Sequence, residues 1–283
     1  MKKESINIRD PYVVYENGKY YLIGTRGKNF GCRTAGFDVY VSDDLDEWED
    51  PIECFNSEKF GMNRGVNWAP EIHKYNDKYY IFATFTKENG LKGTYSLSSD
   101  TITGPFLPHS NGALTPNEWE CLDGTLYVDS NGIPYLIFCH EYTQIKDGTI
   151  CYTRLNPELT APEGETITLF SASQCKYVDM HKSGGYVTDG PFMHRSASGE
   201  LFMIWSSFIK GNYAELVVRF KDGKFGLEFE HLPPLIDSDG GHGMIFSDNS
   251  GAYFTYHTPN KKEYEHPAFC KIKETEGQII INI

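Results

Sequence analysis

Three aspartates, Asp10, Asp123 and Asp189, and one histidine, His242, stand in short motifs spread along a chain of 283 residues. The motifs are Arg9-Asp10-Pro11, Leu122-Asp123-Gly124, Thr188-Asp189-Gly190-Pro191 and Gly241-His242-Gly243, with a fifth, Trp68-Ala69-Pro70-Glu71, between the first two. An aspartate before Gly or Pro is most often a turn residue that caps backbone N–H groups. Three at corresponding positions of a repeat are harder to explain that way. Carboxyl groups gathered in one pocket cannot all ionise freely, because mutual repulsion raises at least one pKa. A protonated acid then stands beside an ionised base, the minimum equipment for acid/base hydrolysis of a glycosidic bond.

The elements that must bring these residues together are legible in the segments between the motifs. The successive steps from Asp10 through Trp68, Asp123 and Asp189 to His242 are about 58, 55, 66 and 53 residues, close to the ~50 of a large propeller blade. After each motif come a strand, a turn and an aromatic-rich strand: 12–15, Asn17-Gly18 and 20–24; 72–75, Asn76-Asp77 and 79–84; 125–128, Asn131-Gly132 and 135–139; 192–194, Ser198-Gly199 and 201–206; 244–246, Ser250-Gly251 and 253–257. Asn-Gly between β-formers is a hairpin signal, since both turn residues tolerate positive φ. Segments 38–42, 93–98, 149–154 and 214–220 add further strands, and no stretch of ten residues holds a 3.6 period. The expectation is an all-β fold, a single five-bladed β-propeller over 1–283 with blades starting near 10, 68, 123, 189 and 242. The first strand of a blade is innermost, so the motifs should ring one mouth of the central channel.

Composition narrows the partners. A net charge of −13 without a Lys/Arg cluster disfavours nucleic acid and anionic membranes, and points to a neutral or cationic small ligand. Seven cysteines without a CxxC pair argue against a disulfide framework and a structural zinc site. The start, Met1-Lys2-Lys3-Glu4-Ser5-Ile6, has no apolar leader core, and no run reaches the ~18 apolar residues of a membrane span, so the cytoplasm is the expected location.

Taken in order, Arg9-Asp10-Pro11, Asn67-Trp68-Ala69-Pro70-Glu71, the run Leu122-Asp123-Gly124-Thr125-Leu126-Tyr127-Val128-Asp129, Asp189-Gly190-Pro191 and Gly241-His242-Gly243 resemble glycoside hydrolase family 43 over about residues 7–260. The resemblance implies a five-bladed propeller and an inverting, single-displacement hydrolase of pentose glycosides, mainly α-L-arabinofuranosides and β-D-xylosides. It makes Asp10 the general base and Asp123 the residue that tunes pKa and orients the acid. Base and acid would stand about 6.5–9.5 Å apart to admit water. No cofactor is required by that chemistry, although the resemblance implies a structural calcium ion in the channel near His242, held largely through water.

At the fourth motif the family pattern has Glu-Gly-Pro, with Glu as general acid, where this chain has Asp189-Gly190-Pro191, one methylene shorter. Asp189 and Glu141, the latter in Phe138-Cys139-His140-Glu141-Tyr142, are both candidates for the acid. The shorter side chain also favours the competing expectation of a carbohydrate-binding propeller without catalysis. Trp68 would offer an indole face to a sugar, against the alternative of blade packing. His242, His257 and Arg33 are further candidates for substrate hydroxyls, and a small oligosaccharide trimmed from its end is the expected substrate. The β-fructosidases also carry Arg-Asp-Pro and Glu-Cys, present here as Glu120-Cys121, but they place Arg-Asp-Pro mid-chain, and the order rejects them.

Overall fold

The hairpins expected from the sequence form, and each is extended outward to a four-stranded antiparallel sheet. The computed structural model describes residues 1–27 and 35–282. Blade 1 holds β1 (Ile8–Glu16), β2 (Lys19–Arg26), β3 (Gly36–Ser42) and β4 (Ile52–Asn56); blade 2 holds β5 (Asn67–Tyr75), β6 (Lys78–Thr86), β7 (Lys92–Ser99) and β8 (Leu107–Pro108). Blade 3 holds β9 (Cys121–Val128), β10 (Pro134–His140), β11 (Thr149–Arg154) and β12 (Ile167–Ser171). Blade 4 holds β13 (Asp189–Arg195), β14 (Leu201–Ile209), β15 (Asn212–Phe220) and β16 (Phe229–Ile236), and blade 5 holds β17 (Gly241–Asp248), β18 (Gly251–Thr258), β19 (His266–Thr275) and β20 (Gln278–Asn282). The fold is a five-bladed β-propeller. No helix among the described residues is long and apolar enough to cross a membrane.

Local chemistry explains the hairpins. In blades 1 and 2 the two-residue turns have both residues at positive φ, Asn17 and Gly18 at 53° and 81°, Asn76 and Asp77 at 48° and 61°, as a type I′ turn requires. Blades 3 and 4 instead use five-residue loops between the pairs Val128–Pro134 and Arg195–Leu201. Most second strands are buried along much of their length, β6 and β14 above all, because neighbouring blades cover both sheet faces; β18 is the exception, with three of its eight residues buried. The sequences of β6 and β14 are correspondingly apolar, Leu201 to Trp205 without interruption and Tyr79 to Phe85 but for Thr84.

Every inner strand carries the same irregularity at its channel end. Pairing slips between Arg9 and Tyr12, Trp68 and Glu71, Leu122 and Thr125, Asp189 and Phe192, and Gly241 and Met244. Each slip contains one left-handed residue: Asp10 (φ 54°), Ala69 (45°), Asp123 (55°), Gly190 (48°) and His242 (51°). A bulge of this kind re-aims a side chain, and here it does so five times around the axis. The repeat alignment expected from sequence is therefore one residue out in two blades. Ala69 and Gly190, not Trp68 and Asp189, correspond to Asp10, Asp123 and His242, while Trp68 and Asp189 correspond to Arg9, Leu122 and Gly241.

A left-handed bulge residue leaves its N–H outside the ladder, and a buried N–H needs an acceptor. The preceding blade supplies it from one position of its second strand. Ala69 N–H donates to Thr25 Oγ1 (2.6 Å), Asp123 N–H to Thr84 Oγ1 (2.9 Å), His242 N–H to Ser206 Oγ (2.6 Å) and Asp10 N–H to His257 Nδ1 (3.2 Å). Between blades 5 and 1 the ring is closed by side chains: Arg9 Nη1 on Glu265 Oε1 (2.9 Å), Tyr20 Oη on Asp248 Oδ2 (2.5 Å) and Asn249 Nδ2 on Tyr15 Oη (3.1 Å).

Candidate active site

The bulges open into a cavity of about 430 Å³ whose lining includes Arg9, Asp10, Trp68, Asp123, Glu141, Tyr142, His181, Asp189, Phe208, His242 and Lys262. Its size suits a small ligand. A larger groove of about 800 Å³ lies at the hairpin end of blade 4, but both cations lining it are paired, Arg219 with Glu230 and Lys221 with Glu228. The chemistry-bearing residues named from sequence converge on the first cavity, with two exceptions. His257 is fully buried behind it, and Arg33 lies outside the described residues.

Asp10 is buried and held as a carboxylate. Its Oδ2 accepts from Thr25 Oγ1 (2.6 Å), and its Oδ1 faces His242 Nδ1 (3.1 Å) and Arg9 Nε (3.9 Å). Burial would raise its pKa, but His242, Arg9, His257 and the Thr25 hydroxyl outweigh that and hold it below the usual carboxylate range. His257 Nδ1 accepts the Asp10 N–H, so its ring carries the proton on Nε2, toward Asn260 Oδ1 at 3.4 Å. Burial and the charge of Arg9 keep it neutral, far below the ordinary histidine pKa. His257 thus holds the Asp10 backbone, and the sugar-facing position expected of it is not the one it occupies.

The other two aspartates are pushed the opposite way. Asp123 is raised well above its ordinary value by burial and by the charges of Asp189 and Asp10, against one hydrogen bond from Gly190 N–H to Oδ2 (3.1 Å). Asp189 is raised to about 7 by burial and by Glu141, against Arg9 and the hydroxyl of Tyr213, which donates to Oδ2 at 3.1 Å. One cavity therefore holds an ionised carboxylate and protonated carboxyls near neutral pH. Burial also raises Glu141, but Lys92 Nζ stands 3.5 Å from its Oε2 and favours the charged form.

Lys92 ties this wall together. It pairs with Glu120 as well as Glu141, and its ammonium lies 5.7 Å from the centroid of the Trp68 ring. The segment bearing Glu120 is anchored from below by the buried Lys87, whose Nζ donates to the carbonyls of Pro116 (3.1 Å), Asn117 (2.7 Å) and Trp119 (2.7 Å). Trp119 stacks on His140 with ring centroids 4.2 Å apart. Trp205 is fully buried in the core, and Trp119 packs partly buried against it from blade 3.

Sequence reading missed Tyr213 and Glu215, which come from the third strand of blade 4. Glu215 is completely buried: Oε2 accepts from Ser206 Oγ (2.8 Å) and Gly243 N–H (3.1 Å), while Oε1 has no hydrogen-bond partner among the described residues. Burial raises it to about 8, against those two hydrogen bonds. The available signal was a lone acid inside the apolar run Tyr213-Ala214-Glu215-Leu216-Val217-Val218. As for the cation expected near His242, its Nδ1 is turned to Asp10, and among the described residues no group of three or more His, Cys, Asp or Glu is arranged to ligate a metal.

The model of glycosyl hydrolases family 43 matches residues 5–274. The chain is similar to a solved structure described as an endo-arabinase from Bacteroides thetaiotaomicron VPI-5482, with 36% identity, TM-score 0.89 and 98% of each chain covered. It shares its fold with an endo-1,4-beta-xylanase from the same organism at 21% identity and TM-score 0.80, covering 99% of this chain and 96% of that one. Among curated proteins it is 24% identical over 172 residues to extracellular endo-alpha-(1->5)-L-arabinanase 1 of Bacillus subtilis (strain 168), covering 57% of this chain. The match spans 50% of that relative's length.

Proposed function

Since the chain belongs to glycosyl hydrolase family 43 and is a glycoside hydrolase, we propose that it cleaves arabinofuranosidic linkages with inversion, using Asp10 as base and Asp189 as acid. The observation that carries this reading is the split between Asp10, kept ionised, and Asp189, raised to about 7, on one cavity. Asp10 takes a proton from water, whose oxygen attacks the anomeric carbon. The glycosidic C–O bond breaks and the departing oxygen takes the proton of Asp189. Asp123, hydrogen-bonded to the backbone of the residue after Asp189, orients that blade and sets its charge. Asp189 is preferred to Glu141 because it is raised to about 7, whereas Lys92 offsets part of the rise that burial gives Glu141.

The choice of arabinan rests on the endo-arabinase likeness at 36% identity over nearly the whole chain. That likeness also favours attack within a chain of sugars over trimming from an end. The test is hydrolysis of linear 1,5-arabinan, 1,5-arabino-oligosaccharides, and aryl α-L-arabinofuranoside and β-D-xyloside, with Asp10→Asn alongside. Internal cleavage of arabinan, lost by at least about a thousandfold in the variant, is expected. Turnover of the xyloside alone would overturn the sugar, and sugar binding without any turnover would leave the binding-only propeller. The six described cysteines are all free thiols, which supports a reducing compartment; fractionating source cells for the activity checks this.

A further inference from the structure

The ring of bulge contacts has one irregular link. The acceptors Thr25, Thr84, Ser206 and His257 pair with Arg9, Trp68, Asp189 and Gly241, each the residue before its blade's left-handed position. In blade 3 the residue so placed, paired with Leu122, is Cys139, fully buried and a free thiol. A thiol is a weak acceptor. The N–H it would have served, that of Gly190, donates instead to Asp123 Oδ2 at 3.1 Å.

Blade 1 shows what a hydroxyl does at this position. Thr25 Oγ1 accepts the Ala69 N–H and donates its own O–H to Asp10 Oδ2, so the carboxylate is one relay removed from the next blade. Asp123 has no such relay and bonds the backbone of blade 4 directly. We propose that Cys139 is a positioning residue: by declining the Gly190 N–H it leaves that donor to Asp123, fixing the carboxylate against the blade that carries Asp189.

The contact makes Asp123 part of the same rigid unit as the peptide that follows Asp189. Gly190 also abuts the ring of His242 of blade 5, which in turn faces Asp10, so blades 3, 4 and 5 meet at this one peptide. A hydroxyl in place of the thiol would accept the N–H and draw Asp123 back toward its own blade, as Thr25 holds Asp10. The inference rests on the hydrolytic reading of the site, in which Asp123 acts on the acid.

The experiment compares Cys139→Ser with Cys139→Ala in the full chain, with Cys139→Thr as a second hydroxyl variant should the first fold poorly. Alanine accepts no hydrogen bond, so Cys139→Ala should keep kcat within about twofold of wild type. Cys139→Ser should lose about tenfold in kcat on arabino-oligosaccharides at unchanged KM, the worth of one redirected hydrogen bond. Crystal structures should show Gly190 N–H on the introduced hydroxyl in Cys139→Ser and on Asp123 in Cys139→Ala. Equal losses in both variants, or a Cys139→Ser structure in which Asp123 keeps the N–H, would overturn the proposal. A wild-type protein that hydrolyses no glycoside would sink the functional reading, while the crystallographic comparison would still decide the role of Cys139.

Discussion

The imidazole of His242 occupies the space that a side chain on residue 190 would need: a Cβ at Gly190 would fall 2.7 Å from His242 Cδ2 and 2.8 Å from Cγ. Gly190 also has φ 48°, in the left-handed region. His242 can face Asp10 and Asp123 because blade 4 presents no side chain beside it. Gly190→Ala should therefore displace the ring, cutting kcat by about a hundredfold or more while also lowering Tm. Kinetics on arabino-oligosaccharides and a thermal melt read both effects; wild-type activity in the variant would contradict this role of His242.

Activity should follow a bell with unequal limbs. Asp10 must be ionised and is held below the ordinary range, so the acid limb should fall below about pH 4. Asp189 must be protonated and titrates at about 7, so kcat/KM should drop as pH rises through neutrality. Asp189→Asn should lose roughly a hundred- to ten-thousandfold on arabinan. Far less should be lost on a dinitrophenyl arabinofuranoside, whose leaving group needs no proton. The same leaving-group rescue in Glu141→Gln, but not in Asp189→Asn, would move the acid to Glu141.

Tyr213 tunes that alkaline limb. Its hydroxyl donates to Asp189 and favours the anion, so Tyr213→Phe removes a stabiliser of the charged form. The alkaline limb should move up by about half to one pH unit, the worth of a typical hydrogen bond. A profile that moves down, or not at all, would detach Tyr213 from the acid.

Glu215 makes the fold sensitive to base. It titrates at about 8 when folded against 4.5 when free, so the folded state keeps a proton that the unfolded chain releases. The stability this contributes is complete below about pH 4.5 and is lost as pH rises through 8, by on the order of 5 kcal/mol. Glu215→Gln, which resembles the protonated form, should remove that slope. Urea unfolding at pH 5 and pH 8 should show the variant gaining on wild type at the higher pH.

The propeller was legible because its turns and motifs recur, and because the second strands are sandwiched and read as apolar runs. Asp10, Asp123, Asp189, Trp68, Glu141 and His242 all reach one cavity for the same reason. The register of blades 2 and 4 was not legible. What recurs is a backbone conformation, and Ala69 and Gly190 carry no side chain that announces it, whereas the neighbouring Trp68 and Asp189 draw the eye. Tyr213 and Glu215 escaped because they reach the axis from a third strand, outside any motif. The outermost strands were faint for want of buried residues to pattern them; β8 is only Leu107–Pro108, both exposed.

Each sheet is built of consecutive strands, so among the described residues none of the blades is sewn to the next by a shared ladder. Four of the junctions are spanned by the polypeptide itself, and the fifth, between the first blade and the last, depends on clasps such as Arg9 with Glu265 and Tyr20 with Asp248. If those clasps part, the toroid becomes an open arc whose sheets are still intact. Asp10 then departs with one end of the arc and His242 with the other, so the molecule would forfeit its chemistry while retaining most of its secondary structure.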